Sequence, residues 1–425
     1  MFSKDYENIT PHGGCGLVNR SIRQREVNKL LDKVLGKEAV VLSAAEVSVF
    51  RKIADGTLSP LEGPMDSREF YKVLDDEVIE RNGKKFAWTI PIAFPITKSS
   101  GERFGKRDLV LVKSENGVLL GALEISDVYY FDKQKYNRIV CGTDRLDHPA
   151  CRIVNNDHRD YLVGGRIYAF PYCPDSVFKK YLYPPLQCRE IFAKKKWERI
   201  AAFQTRNPLH RAHEYAMVYA LEKLTREGYT AGVVLNPLVG ETKGDDVPAA
   251  VRMQTYEALI REKLLGCGDK DEAFWQAKKI DFNSRVLLIA LDMRMYYAGP
   301  KEAVMHAIYR QNMGFTDIII GRRHADAPFD DGTQAWGDFE AQEKFNNLQG
   351  ELLIRPLKVG TAAFFEEINR VSLEEEVKGK ACHKVEIAGK ELRRRLQAGE
   401  SVDERIMRKP VADILGKYYA RKTGE

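Results

Sequence analysis

Ten consecutive residues, Gln204-Thr205-Arg206-Asn207-Pro208-Leu209-His210-Arg211-Ala212-His213, carry the densest chemistry in the chain. They follow an apolar run, Ile200-Ala201-Ala202-Phe203, that reads as a buried strand. Asn207 stands where a helix N-cap is expected, and Pro208 suits the first helical position because its missing N–H costs nothing there. The unpaired N–H groups of a first helical turn, with the positive end of the helix dipole, attract a phosphate or sulfate. Arg206 adds a planar fork of donors. His210 and His213, three residues apart, share a helix face and can converge on one ligand. Two other readings compete: a metal half-site, or two half-exposed histidines with no ligand. A metal centre would need further ligands at short range, and none is evident.

The decamer resembles the Q-x-R-N-P-x-H-x-x-H signature of the sulfate adenylyltransferase family, within the nucleotidylyltransferase superfamily. The stretch from Leu235-Asn236-Pro237 to Gly244-Asp245 resembles that family's second loop, with Asn236 where the family usually has His. Met295-Tyr296-Tyr297-Ala298-Gly299-Pro300-Lys301-Glu302-Ala303 resembles its next segment. Gly321-Arg322-Arg323-His324-Ala325 resembles its G-R-D-H-A loop, with Arg323 in place of the usual Asp. Pro11-His12-Gly13-Gly14 and the run from Ala54 to Gly63 resemble its N-terminal signatures, and Gly389 to Leu396 its C-terminal one. The resemblance spans essentially the whole chain and is to the bacterial and archaeal type without a fused adenylylsulfate kinase domain.

The chain up to about Tyr183 reads as mainly β. Asn82-Gly83 and Asn116-Gly117 are hairpin signals, and Ser43 with Glu46 predicts a capped helix ending near Gly56. Tyr183-Pro184-Pro185 punctuates the chain. Strands and helices then alternate as in a parallel sheet with crossovers: strand 200–203, helix 208–226, strand 232–235, helix 248–265, strand 286–290, helix 300–312 and strand 317–320. The decamer and the 321–325 loop both lie at carboxyl ends of strands, where ligands of open parallel sheets bind. A last helix is expected near 390–397. The expected fold is therefore multidomain α/β: a β-rich domain over 1–185, a catalytic domain with a parallel sheet over 186–354, and a small C-terminal domain over 355–425. The resemblance implies that the first is PUA-like and the second a Rossmann-like nucleotidylyltransferase domain.

The resemblance also assigns roles. Gln204, Arg206 and the backbone at Ala325 would hold sulfate; Thr205, Asn207 and Arg322 would hold the α-phosphate. His210 and His213 would stabilise the β- and γ-phosphates as pyrophosphate leaves. Gly321, His324 and Val359 would meet the adenosine. Thr205 and Asn207 have an alternative role as turn and cap, and His324 as a loop anchor. His12, His148, His158, His306 and His383 show no partner pattern and are read as structural. Arg393-Arg394-Arg395 reads as a solvated face, with a phosphate role as the alternative.

The chain has 425 residues, 67 Lys plus Arg against 61 Asp plus Glu, and a formal charge of +6. That balance suits acidic small molecules and does not require extended nucleic-acid contact. No apolar run spans a bilayer and Met1-Phe2-Ser3-Lys4 opens no signal peptide, so a cytoplasmic protein with no membrane partner is expected. Seven cysteines without a C-x-x-C pair suggest reduced thiols and no structural zinc. The family's zinc-binding insert follows the 321–325 loop in some members, and here Asp326 to Gly337 holds no cysteine. No G-x-G-x-x-G or P-loop motif occurs, which disfavours a dehydrogenase or kinase.

Sulfate is a dianion at neutral pH, so its attack on the α-phosphorus of ATP needs no general base. Charge repulsion is the obstacle, and preorganised positive donors are the remedy. The expected reaction is reversible formation of adenylyl sulfate and pyrophosphate, run toward ATP in a sulfur-oxidising setting. Mg2+ would arrive on ATP or pyrophosphate, and a homodimer or larger homo-oligomer is expected. Transfer to another acceptor, or a non-catalytic nucleotide- or RNA-binding regulator, are the competing functions.

Overall fold

The computed structural model describes residues 8–173, 177–240, 246–386 and 389–423. Strand β1 (Ala39–Leu42) leads into helix α1 (Ala44–Ala54). Ser43 caps α1 reciprocally: its Oγ accepts the Glu46 N–H at 3.4 Å, and its own N–H donates to Glu46 Oε2 at 2.9 Å. Strands β2 (Val78–Arg81) and β3 (Lys84–Ala87) form the hairpin signalled by Asn82-Gly83, whose φ values of 50° and 74° suit a two-residue turn. Strands β4 (Phe94–Ile96), β5 (Leu109–Ser114), β6 (Leu119–Tyr130) and β7 (Tyr161–Ala169) join β1 in a sheet of order β1-β5-β6-β7-β4. Asn116-Gly117 turns β5 into β6, and helix α2 (Pro149–Asn156) precedes β7.

A second sheet is wholly parallel and has the order β10-β9-β8-β11-β12. Its strands are β8 (Arg199–Thr205), β9 (Ala231–Pro237), β10 (Val286–Leu288), β11 (Asp317–Ile320) and β12 (Arg355–Lys358). Helices α3 (Arg211–Arg226), α4 (Ala249–Arg261) and α5 (Gly299–Met313) make the crossovers. β9 and β11 are buried at every position, as strands covered on both faces must be. The chain moves outward from β8 through β9 to β10 and then returns to place β11 on the other side of β8. The strand order thus reverses between β8 and β11, the switch point where such sheets bind ligands. At the opposite edge, buried Asp317 accepts from Arg199 on β8 at 2.9 and 2.7 Å and from Arg355 on β12 at 3.1 Å, pinning three strands in register. The parallel sheet therefore extends past residue 354.

Several boundaries differ from expectation. α4 stops at Arg261 rather than Leu265 because Lys263 turns to φ 54°. β10 ends at Leu288, and Ala290 N–H is taken instead by the Tyr181 carbonyl at 2.9 Å. α3 begins at Arg211 rather than Pro208.

A small antiparallel sheet of order β14-β13-β15 follows, from β13 (Ala362–Phe365), β14 (Arg370–Leu373) and β15 (Lys384–Val385), then helices α6 (Gly389–Gln397) and α7 (Lys409–Thr423). Buried charge welds this part to α3. Asp269 accepts from Arg211 (2.9 and 2.5 Å), from Arg408 (3.2 Å) and from the Val371 N–H (2.8 Å), while Glu214 accepts from Arg408 and from the Gly266 N–H at 2.9 Å. The N-terminal signatures serve docking. Asn312, near the end of α5, accepts the His12 N–H at 2.8 Å and donates to the carbonyls of Thr57 and Ser59, both at 2.9 Å.

Candidate functional site

The strand-to-helix junction after β8 redistributes the expected chemistry. His210, not Asn207, is the N-cap residue of α3, with φ −106° and ψ 165°. Thr205 Oγ1 closes the preceding turn, accepting the Asn207 N–H at 3.1 Å and donating to the Asn207 carbonyl at 3.0 Å. The Tyr256 hydroxyl donates to that same carbonyl at 2.8 Å. Asn207 is thus held ahead of the helix, and Pro208 is not its first residue. The first-turn amides are engaged as well: Arg211 N–H donates to Ile406 O at 2.8 Å, and His213 and Glu214 N–H donate to His210 O at 2.9 and 3.1 Å. With three of the first four helical amides engaged, an anion held here would rely mainly on side chains.

Those side chains are arranged to do so. The His210 and His213 rings stack with centroids 3.6 Å apart and planes 24° from parallel. Burial lowers the His210 pKa to about 4, and burial followed by the proximity of His210 holds His213 well below the ordinary value. Both are therefore neutral at neutral pH, each with one N–H to donate, and an arriving polyanion would favour their charged forms. His213 Nδ1 and Gln204 Oε1 are buried with no hydrogen-bond partner among the described residues. Arg206 lies 3.4 Å from Asp246 and 5.7 Å from the Tyr297 ring centroid.

The loop after β11 faces this junction across the switch point. Arg322 and Arg323 are exposed and share one carboxylate: Arg322 Nε donates to Asp338 Oδ2 at 2.8 Å and Arg323 Nε to Asp338 Oδ1 at 2.6 Å. The basic residue at 323 is thus answered by Asp338. Tyr297, Arg323 and Ala325 all have positive φ, 54°, 52° and 59°, a concentration of unfavourable backbone typical of a site held open by its surroundings. Gly321 ends β11, and the Ala325 carbonyl accepts the Gly299 N–H at 3.2 Å.

His324 begins a buried relay. Its Nε2 is 3.0 Å from His306 Nδ1, and His306 Nε2 is 3.2 Å from Glu302 Oε1. Glu302 also accepts the N–H groups of Tyr296 (2.9 Å) and Ala298 (3.0 Å). Burial raises the Glu302 pKa to about 7 against these bonds and the nearby charges of His324 and Arg206. With Glu302 ionised, His306 donates to it and accepts from His324 Nε2–H, which leaves His324 Nδ1 an acceptor. Burial, then His306 and Arg310, lowers the His324 pKa to about 3.

Other expected residues sit as follows. Val359 is buried, its N–H donates to Ile320 O at 3.1 Å, and its carbonyl accepts from Gln342 at 2.9 Å. Asn236 is buried: its Nδ2 donates to Ile289 O at 2.5 Å and its Oδ1 accepts from buried Arg310 at 2.9 Å. Arg394 and Arg395 pair with Glu391, and Arg394 also with Glu400. Residues 241–245 of the second loop lie outside the described residues.

Four of the histidines read as structural have contacts in the fold that the sequence pattern did not show. His306 belongs to the relay, His12 Nε2 is 2.9 Å from Ala87 O, His383 pairs with Glu367, and His148 packs beside two cysteines. Sequence reasoning also missed Glu302, Asp246 and Asp338. Glu302 and His306 stand four apart on a helix that was itself expected, a signal that was available. The cleft of about 1120 Å³ between Ser43–Glu46, Arg159 and Asp292–Met295 reaches Tyr297 and Gly240 but is lined by no residue of the decamer or the 321–325 loop.

Arg and His side chains gathered at the carboxyl ends of adjacent strands, on both sides of the switch point of a parallel sheet, are the arrangement expected of an α/β protein that handles a nucleotide. The ATP-sulfurylase family model matches residues 179–418, and a PUA-like domain model matches residues 9–172. The sulfate adenylyltransferase of Pyropia yezoensis is 45% identical over 420 residues, 98% of each chain, and that of Persephonella marina is 33% identical over 98% of this chain and 100% of its own. The solved hexameric APS kinase from Thiobacillus denitrificans shares the fold, with a TM-score of 0.69 at 17% identity over 96% of this chain and 68% of its own. The chain belongs to the ATP-sulfurylase family.

Proposed function

We infer that the protein is a sulfate adenylyltransferase, converting ATP and sulfate reversibly into adenylyl sulfate and pyrophosphate. The observation that carries this reading is that Gln204 at the end of β8, with Arg206, His210 and His213 just beyond it, and the Gly321–Ala325 loop after β11 emerge from adjacent parallel strands. In the proposed reaction a sulfate oxygen forms a bond to the α-phosphorus in line with the bridging oxygen to the β-phosphate. The bond from the α-phosphorus to that bridging oxygen breaks, and its electron pair leaves with pyrophosphate. No proton has to move.

In this reading Gln204 and Arg206 orient sulfate with the Ala325 backbone, and Arg206 exchanges Asp246 for the dianion. Arg322 swings from Asp338 to the α-phosphate, beside Thr205 and Asn207. His210 and His213 donate to the β- and γ-phosphates, assisted by the α3 dipole. Gly321 and His324 meet the adenosine, His324 Nδ1 accepting from a nucleotide donor. Val359 would contribute only through its carbonyl's second lone pair, since its N–H is committed. Magnesium enters as part of MgATP or magnesium pyrophosphate.

The proposed division of labour gives residues 1–185 to the PUA-like part and 186–354, with β12, to catalysis; the remainder closes over α3. A homo-oligomer in the cytoplasm is part of the proposal; no helix among the described residues is long and apolar enough to cross a membrane. The test is ATP formation from adenylyl sulfate and magnesium pyrophosphate by the purified chain. Turnover is expected, and none from folded protein that binds adenylyl sulfate would overturn the reading.

A further inference from the structure

Cys141, His148 and Cys151 converge in the N-terminal part although the chain has no C-x-x-C pair. Their candidate ligand atoms all lie within 4.8 Å of one another. The three residues are at most 1% exposed. The spacing, six residues and then two between ligands, places Cys141 just after a helix, His148 as the N-cap residue of α2 and Cys151 in its first turn. His148 is the informative member. Beyond its contact with the Cys151 thiol, neither of its buried ring nitrogens finds a hydrogen-bond partner among the described residues, which is costly for an imidazole unless something else binds it. It makes no side-chain capping bond to α2 either.

We propose that Cys141, His148 and Cys151 form a divalent zinc site that staples the PUA-like part to the segment following the 321–325 loop. Two thiols and an imidazole select zinc over the hard magnesium ion that accompanies nucleotides. Tetrahedral zinc with bonds of about 2.3 Å to sulfur and 2.0 Å to nitrogen needs ligand atoms roughly 3.6–3.8 Å apart, a contraction within reach of small side-chain rotations. A water or the Thr143 carbonyl, 3.2 Å from Cys151 Sγ, would complete the shell. The proposal departs from the expectation, drawn from cysteine spacing, that no zinc would bind.

The surroundings give the site its consequence. The His148 ring meets the rings of Phe329 and Trp336 edge-on, with centroids 5.4 and 5.7 Å away. Trp336 is wedged between two glycines. A Cβ on Gly142 would come within 3.2 Å of its indole, and one on Gly299, at the start of α5, within 2.5 Å. Arg145 pairs with Asp331 at 2.8 Å and Arg152 with Asp330 at 2.6 Å. Two residues beyond Trp336 is Asp338, the carboxylate that holds Arg322 and Arg323. A metal at this centre would therefore fix one side of the 326–338 segment on which the Arg322 loop rests.

The test uses the full chain produced with zinc in the medium, freed of loose metal by gel filtration, and assayed for zinc by mass spectrometry. About one zinc per chain is expected. Cys141→Ser and Cys151→Ser should each lose it, whereas Cys382→Ser should keep it. Cobalt replacement in the wild-type chain should give thiolate-to-cobalt charge-transfer absorption, a readout that survives if the variants fail to fold. Zinc-free wild-type protein without that absorption would overturn the proposal. So would zinc retained in the folded double variant, or an intact mass showing a Cys141–Cys151 disulfide in its place.

Discussion

In the proposed reaction His210 and His213 would meet the nucleotide phosphates uncharged. Each therefore contributes one oriented N–H donor to the ground state and more once a polyanion draws a proton onto the pair. Because His210 makes no side-chain cap bond to α3, removing its imidazole leaves the helix start intact. His210→Ala is accordingly expected to reduce turnover by roughly 10²–10³-fold, the range for a lost charge-stabilising donor, with an unchanged thermal melt. Arg206→Ala should do the same, since Asp246 is its one carboxylate contact among the described residues. Wild-type-like turnover from either variant would remove that residue from the site. The decamer's chemistry was legible because its residue types are unusual for a strand end. Asp246 and Asp338 were not, because each acquires meaning only beside a side chain brought from another loop, whereas the Glu302–His306 pair had a readable i, i+4 spacing that gains its meaning only with His324. Asn236 and Arg323, the two departures from the family pattern, both find partners in the fold, Arg310 and Asp338.

At the scale of elements, locally encoded features were readable and tertiary ones were not. The Ser43–Glu46 capping box involves four consecutive residues and appears as expected. Asn207-Pro208 carries an equally plausible local signal, yet α3 starts three residues later than Pro208. Tyr256 and Thr205 hold the Asn207 carbonyl, and Ile406, nearly two hundred residues on, takes the first helical N–H. That distant clasp depends on the buried charges around Asp269. Asp269→Asn leaves Arg211 and Arg408 under-compensated in a buried setting, for which a loss of about 3 kcal/mol is expected. Urea unfolding should show it as a lower midpoint, and activity should fall with it because α3 carries His210. A midpoint within error of wild type would mean that the C-terminal part does not brace the helix.

For the whole molecule, the buried histidines set the response to acid. The pKa values of His12 and His210 are lowered to about 4 and that of His324 to about 3, in each case chiefly by burial, and His213 and His306 are held well below the ordinary value for the same reason. For such groups the unfolded chain takes up the proton first. Their contribution is full above the ordinary pKa of about 6.5 and is lost as pH falls below it. Glu302 runs the other way: raised to about 7, it favours the fold most below the ordinary carboxylate value and loses that contribution as pH rises through about 7, and burial raises Glu214 and Glu222 in the same sense. Five imidazoles against three carboxyl groups predict a melting temperature that declines from about pH 6.5 downward. A flat profile to about pH 5 would contradict the burial of these imidazoles.

The central claim, adenylyl transfer to sulfate at the β8–β11 switch point, is tested most directly by exchange of labelled pyrophosphate into ATP. The assay needs only the purified chain, magnesium and the two nucleotide-side reactants, with sulfate present or withheld. The account predicts exchange that requires sulfate and disappears with Arg206→Ala. Exchange that persists without sulfate, or its absence from folded nucleotide-binding protein supplied with sulfate, would contradict it.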